Sequence, residues 1–127
     1  PKPGIVYKGA IPVAEIALNT SDKYLTILIS ALLGNAYKFT QEGTISLECD
    51  RLGDDRVFIA VTDTGCGIPP EKHGYVFERF TKLDTFSQGN GLGLYLCRLI
   101  VTHLHGEIYI DSGYTGGTRI VAILPRR

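Results

Sequence analysis

Val57-Phe58-Ile59-Ala60-Val61-Thr62 runs straight into Asp63-Thr64-Gly65-Cys66-Gly67, and further on Gly89-Asn90-Gly91-Leu92-Gly93-Leu94 opens an apolar stretch that continues to Leu104. The first glycine loop follows a strand signal and the second starts a helix signal, so both lie at the ends of elements. A glycine loop alone marks a turn more often than a ligand. Here the first is led by Asp63, whose ionised carboxylate is acceptor-only and suits an exocyclic amino group such as that of adenine. The second presents free N–H groups at a helix start, which suit phosphate. Together they read as a nucleotide site. The spacing is not that of a Walker loop, and no early strand-turn-helix carries a dinucleotide fingerprint.

Working outward from these loops, Leu25, Leu28, Ile29, Leu32, Leu33 and Ala36 recur at helical spacing after a candidate N-cap at Ser21, so the spacing predicts a helix over 22–39. Ile45, Leu47 and Cys49 alternate with polar residues, and with Val57–Thr62 across Gly53-Asp54-Asp55 they predict an antiparallel hairpin. Shorter strand candidates lie at Ile5–Tyr7 and Glu15–Leu18. Pro69-Pro70 predicts a short helix to about Phe77, and residues 81–89 a polar loop. Gly91–Leu104 reads as a helix, then Ile108–Ile110 and Ile120–Leu124 as a closing hairpin around Tyr114–Gly117. Hairpins with helices between them indicate an α/β chain whose helices cover one face of a mixed sheet.

At 127 residues, with 44% hydrophobic and 20% charged residues, the chain suits one soluble domain with a substantial core. Its 13 basic and 13 acidic residues cancel, which removes the electrostatic footprint of a nucleic-acid binder or a polybasic membrane anchor. Neither nucleic acid nor direct membrane contact is expected, since no apolar run is long enough to span a bilayer. Cys49, Cys66 and Cys97 lack zinc-ligand spacing and are odd in number, so a reducing, cytoplasmic setting fits. The chain contains no methionine, even at position 1, and reads as a domain cut from a longer protein.

Asn35 falls at the edge of the first helix's apolar stripe, with Ala31 and Lys38 extending it. A half-buried amide needs partners. Either Asn35 bonds a neighbouring loop, or it offers an oxygen to Mg2+ while Lys38 offers a point charge to phosphate. Asp63 has its own plain alternative, an Asx-turn capping its loop. Phe77 reads as core, and Arg79 either meets a phosphate or forms a surface ion pair. His73, His103 and His105 accompany no nucleophile motif; His105, before Gly106, stands where a polar residue can cap a helix. Cys66, between two glycines, is either a reactive thiol or small-residue packing, and the packing reading is favoured.

Asn35-Ala36-Tyr37-Lys38-Phe39-Thr40, Asp63-x-Gly-x-Gly, Phe77-Glu78-Arg79-Phe80 and Gly89-x-Gly-Leu-Gly-Leu94 stand in an order that resembles the catalytic ATP-binding domain of sensor histidine kinases, within the gyrase–chaperone–kinase–MutL ATPase superfamily. The resemblance covers about residues 22–125. It implies a two-layer α/β sandwich, with three helices against a mixed, mostly antiparallel sheet and ATP held between them under a lid. By this resemblance Asn35 binds Mg2+, Lys38 and Arg79 contact phosphate, and Phe39 packs on the adenine read by Asp63. Gly65 and Gly67 shape the base loop. Phe77 and Phe80 pack the base of a lid over residues 81–90, and Gly89, Asn90, Gly91, Leu92, Gly93 and Leu94 form its hinge and the phosphate loop. The implied reaction passes the γ-phosphoryl group of ATP to a histidine on a separate dimerisation domain, upstream of a response regulator. One position departs from the family: its earlier helix Asn is Ala31 here, whose methyl group cannot bind metal. ATP-hydrolysing cousins place a Glu general base there, so Ala31 counts against a topoisomerase-like ATPase. It also leaves open a module that binds nucleotide or a partner domain without catalysis.

Overall fold

The structure, a computed structural model, describes residues 4–10, 22–73, 76–77 and 93–125. Among these, β1 (Ile5–Ala10), α1 (Asp22–Phe39), β2 (Gly43–Leu52), β3 (Arg56–Asp63), α2 (Gly93–His103), β4 (Glu107–Ile110) and β5 (Thr118–Pro125) follow one another. The strands form one sheet in the order β1-β2-β3-β5-β4. β1 runs parallel to β2, and every other pairing is antiparallel. The sheet is therefore mixed and mostly antiparallel, as expected. Both expected hairpins form, with Gly53 supplying the positive φ of the β2–β3 turn.

Register decides which side chains meet the helices. Cys49, Ile59 and Ala122 lie side by side across three strands, as do Leu47, Val61 and Ile120 in the next row. These rows pack against Leu28, Leu32 and Ala36 of α1 and Cys97, Ile100 and Val101 of α2 in one apolar cluster. The helical stripe read from α1 is thus the face that is buried. Ala60 and Val121, cross-strand partners on the sheet's other face, are buried as well. β3 is the central strand of the five, and Asp63 at its end is buried.

Two α-helices are present among the described residues where three were expected. Among the described residues of the expected helix over Pro69–Phe77, Pro70–Lys72 forms a 3-10 segment and no α-helical turn is present. Pro70 holds Pro69 out of helical geometry, at φ −55° and ψ 138°, because a residue before proline is pushed toward extended backbone. The strand expected at Glu15–Leu18 and the N-cap expected at Ser21 lie outside the described residues. α2 is described from Gly93, and the expected start at Gly91 also lies outside the described residues.

Candidate nucleotide site

Asp63 is the last residue of β3, paired with Ile45 on one side and Thr118 on the other, and only 3% exposed. Its Oδ1 accepts the Gly65 N–H at 2.9 Å, and the Thr118 N–H also reaches the carboxylate. The first bond is the Asx-turn expected of an Asp at such a place. A carboxylate has about four lone-pair sites, so two bonds leave it able to accept more. Burial pushes its pKa above the ordinary value, and the Gly65 and Thr118 bonds pull back against that rise.

The loop after Asp63 is stitched to the end of α1. Cys66 N–H donates to the Phe39 carbonyl at 3.3 Å, and a Cβ on Gly65 would collide with that same oxygen. Gly65 is thus required by close approach. Gly67 is required by conformation, since its φ of +77° lies in the left-handed region. Thr64 binds β2 twice: its N–H donates to the Thr44 carbonyl, and its Oγ1 accepts the Thr44 N–H at 2.9 Å.

Beside this loop lies a cavity of about 880 Å³, lined by Phe39, Gly65–Pro70, His73, Ile110–Ser112 and Tyr114–Thr118. That volume suits a ligand of nucleotide size. Asn35, Lys38 and Phe39 share one face of α1's last two turns, but only Phe39 enters the cavity wall. Asn35 is half-buried, and Lys38 Nζ stands 5.7 Å from the Phe39 ring centroid. Ala31 packs against the core. Leu94 is 6% exposed and its side chain belongs to the core cluster, so it can offer a ligand only its backbone. Gly93, at the start of α2, has open space where a Cβ would stand. Phe77 is buried in the core. Arg79, Phe80, Gly89, Asn90, Gly91, Leu92 and the expected lid over 81–90 lie outside the described residues.

Cys66 corrects the packing expectation: it is exposed and lines the cavity, whereas Cys49 and Cys97 are the buried cysteines. Burial pushes the Cys97 thiol up to about 12. Sequence reading also passed over the wall supplied by Ile110–Thr118 and by His73, whose ring nitrogen lies 2.8 Å from the Ile68 carbonyl. The signal available was Gly116-Gly117-Thr118, which reads as a plain hairpin turn until β5 is known to pair with β3.

A glycine loop led by a buried strand-end Asp thus lines a cavity of nucleotide size. The family model described as histidine kinase-, DNA gyrase B- and HSP90-like ATPase matches residues 20–127. The chain belongs to this family. Within it, the chain is a catalytic ATP-binding domain of the sensor histidine kinase type. It is 40% identical over 101 residues to the adaptive-response sensory kinase SasA of Gloeothece citriformis, covering 77% of this chain and 26% of that protein. With the hybrid signal transduction histidine kinase K of Dictyostelium discoideum it shares 37% over 129 residues, 89% of this chain and 11% of the other. The sensor histidine kinase RcsC of Escherichia coli is 36% identical over 118 residues, 90% and 12% of the two chains. The chain thus spans between about a tenth and a quarter of these relatives' length. Among solved structures, the mycobacterial sensor histidine kinase MprB superposes with a TM-score of 0.86 at 24% identity, over 99% of this chain and 86% of that one. Full-length ShkA, in complex with AMPPNP, gives 0.84 at 26% identity, over 96% of this chain and 26% of that one. The chain therefore shares the fold of these solved histidine kinase structures. No helix among its described residues is long and apolar enough to cross a membrane.

Proposed function

We propose that the chain binds Mg–ATP with its base at Asp63 and donates the γ-phosphoryl group to a histidine on a separate dimerisation domain, which then supplies a response regulator. The observation that carries this reading is Asp63 itself: a 3%-exposed carboxylate at a strand end, held by the backbone N–H groups of Gly65 and Thr118, both of which line a cavity of nucleotide size. Desolvating a carboxylate is costly, and recognition of a base amino group is a use that offsets the cost. Phe39 offers a ring to the base, and Gly65 keeps the backbone flat against the end of α1.

Among the described residues no group of three His, Cys, Asp or Glu stands close enough to hold a metal. A cation here would take most of its ligands from phosphate and water, which suits Mg2+, an ion that keeps several waters. Asn35 fits as a single protein oxygen, on the α1 face that leads to Phe39. Bound Mg2+ would neutralise charge on the phosphates. Lys38, one turn on, would hold a phosphate oxygen and Arg79 a terminal one. In the transfer, the bond from the γ-phosphorus to its bridging oxygen breaks, an imidazole nitrogen of the acceptor bonds to phosphorus, and ADP leaves.

Ala31 supports a second reading, binding without transfer, because its methyl packs on the core and gives the stripe no second polar group. The discriminating experiment mixes the chain with its cognate phosphoacceptor domain and γ-labelled ATP. Label on the acceptor histidine supports the kinase reading. Saturable ATP binding with no label transferred supports the binding module.

A further inference from the structure

The turn between β4 and β5 carries a side chain that the reading above leaves without a role. Tyr114 is half-buried, lines the cavity, and its phenol O–H donates to the Asp63 carbonyl oxygen at 3.4 Å across 51 positions of sequence. The turn that presents it is braced. Asp111 accepts the Gly113 N–H on Oδ1 at 3.0 Å and the Tyr114 N–H on its carbonyl at 3.2 Å. Arg119 Nη1 holds the other Asp111 oxygen at 3.1 Å. At the far end Gly117, with φ +149°, passes so close to Asp63 that a Cβ would collide with the same carbonyl that Tyr114 reaches. Asp63 is thus gripped from two sides, by its own glycine loop and by this turn.

Resting on the role of Asp63 as base acceptor, we infer that Tyr114 is a positioning residue for base recognition. Its hydroxyl fixes the Asp63 peptide, and so the direction in which the carboxylate faces the base. Its ring completes the cavity wall together with Phe39. At 3.4 Å the bond is long for O–H···O. A freed Asp63 peptide costs affinity for the base that fits the carboxylate more than affinity for one that does not.

The test is competition of ATP and of GTP against a fluorescent ATP analogue, on the 127-residue chain as wild type, Tyr114→Phe, Tyr114→Ala and Asp63→Asn. Tyr114→Phe should weaken ATP about three- to tenfold, the size of one neutral hydrogen bond, and GTP by less, so that the ATP/GTP ratio falls while the melting temperature holds. Tyr114→Ala should lose more ATP affinity, because the wall goes as well. Tyr114→Phe with wild-type ATP affinity and ratio, or with equal loss for both nucleotides and a lower melting temperature, would overturn the inference. If wild type prefers ATP and Asp63→Asn abolishes that preference, such a result strikes Tyr114 alone. If wild type shows no preference, the role of Asp63 falls and takes this one with it.

Discussion

At the scale of single residues, Asp63 ties stability and proposed function together with opposite signs. Burial raises its folded pKa above its ordinary value of 3.8, so between those two values the folded chain holds more protons than the unfolded one. Its contribution to stability is fully present below the ordinary value and is lost as pH rises through the raised folded value. ATP affinity should rise over the same window, because the ionised carboxylate is the acceptor. Denaturant unfolding of wild type and Asp63→Asn across the acid-to-neutral range checks the first trend. The difference, mutant minus wild type, should grow as pH rises and then level off. ATP titration across the same range checks the second, and parallel movement of the two would contradict the assignment. The two glycine loops separate at this scale too. Gly65→Ala drives a Cβ into the Phe39 carbonyl and should cost more than about 2 kcal/mol by a mechanism known for large losses. Gly93→Ala meets nothing within 4 Å among the described residues and should leave stability unchanged or raise it by up to about 1 kcal/mol. Chemical denaturation of both variants reads the contrast.

At the scale of elements, the end of α2 places His105 at the capping position its sequence suggests. His105 takes the left-handed position that closes the helix, with φ 64°, while Gly106 N–H reaches back to the Val101 carbonyl at 2.8 Å and His105 N–H to Thr102 at 3.1 Å. This is the paired bonding of a Schellman end. Gly106 is glycine for another reason: a Cβ there would collide with the Ile123 carbonyl of β5. His105→Gly should therefore stabilise the chain by about 1 kcal/mol, the strain of a left-handed non-glycine residue. Gly106→Ala should destabilise it by more than that gain. Thermal melts of the pair decide whether the two positions have been assigned correctly. Pro69-Pro70 reads differently from its sequence: among the described residues its helix-start signal yields a 3-10 turn. Two adjacent prolines keep the first one extended, and periodicity carries no information about that. α1 was legible because eighteen residues carry one consistent stripe that the sheet needs.

At the scale of the whole molecule, the sheet order explains which half of the cavity could be read in advance. Phe39 and Gly65–Gly67 belong to motifs that are local in sequence. Tyr114–Thr118 reach the cavity only because β5 inserts between β3 and β4, a long-range pairing that no local pattern announces. The two hairpins and the buried face of α1 followed from period and turn chemistry, whereas the strand register and the parallel docking of β1 on β2 did not. Ala31 sets a prediction at this scale. It lies one turn before Asn35 on the same helix face, and Ala31→Asn should raise phosphotransfer to a supplied acceptor domain and lower the Mg2+ concentration required. Asn35→Ala should remove metal-dependent binding in either background. Unchanged transfer in Ala31→Asn from an already efficient wild type would show that the missing amide is compensated elsewhere.

The measurement that bears most directly on the central claim is calorimetric titration of the chain with Mg–ATP, run beside Asp63→Asn and repeated with Mg–GTP. Wild type should bind ATP reversibly and more tightly than GTP. Asp63→Asn should lose roughly 1.5–3 kcal/mol of ATP binding, the size of a charge-assisted hydrogen bond. No heat of binding at millimolar ATP, or equal affinity for ATP and GTP in wild type and mutant alike, would contradict an adenine site at Asp63.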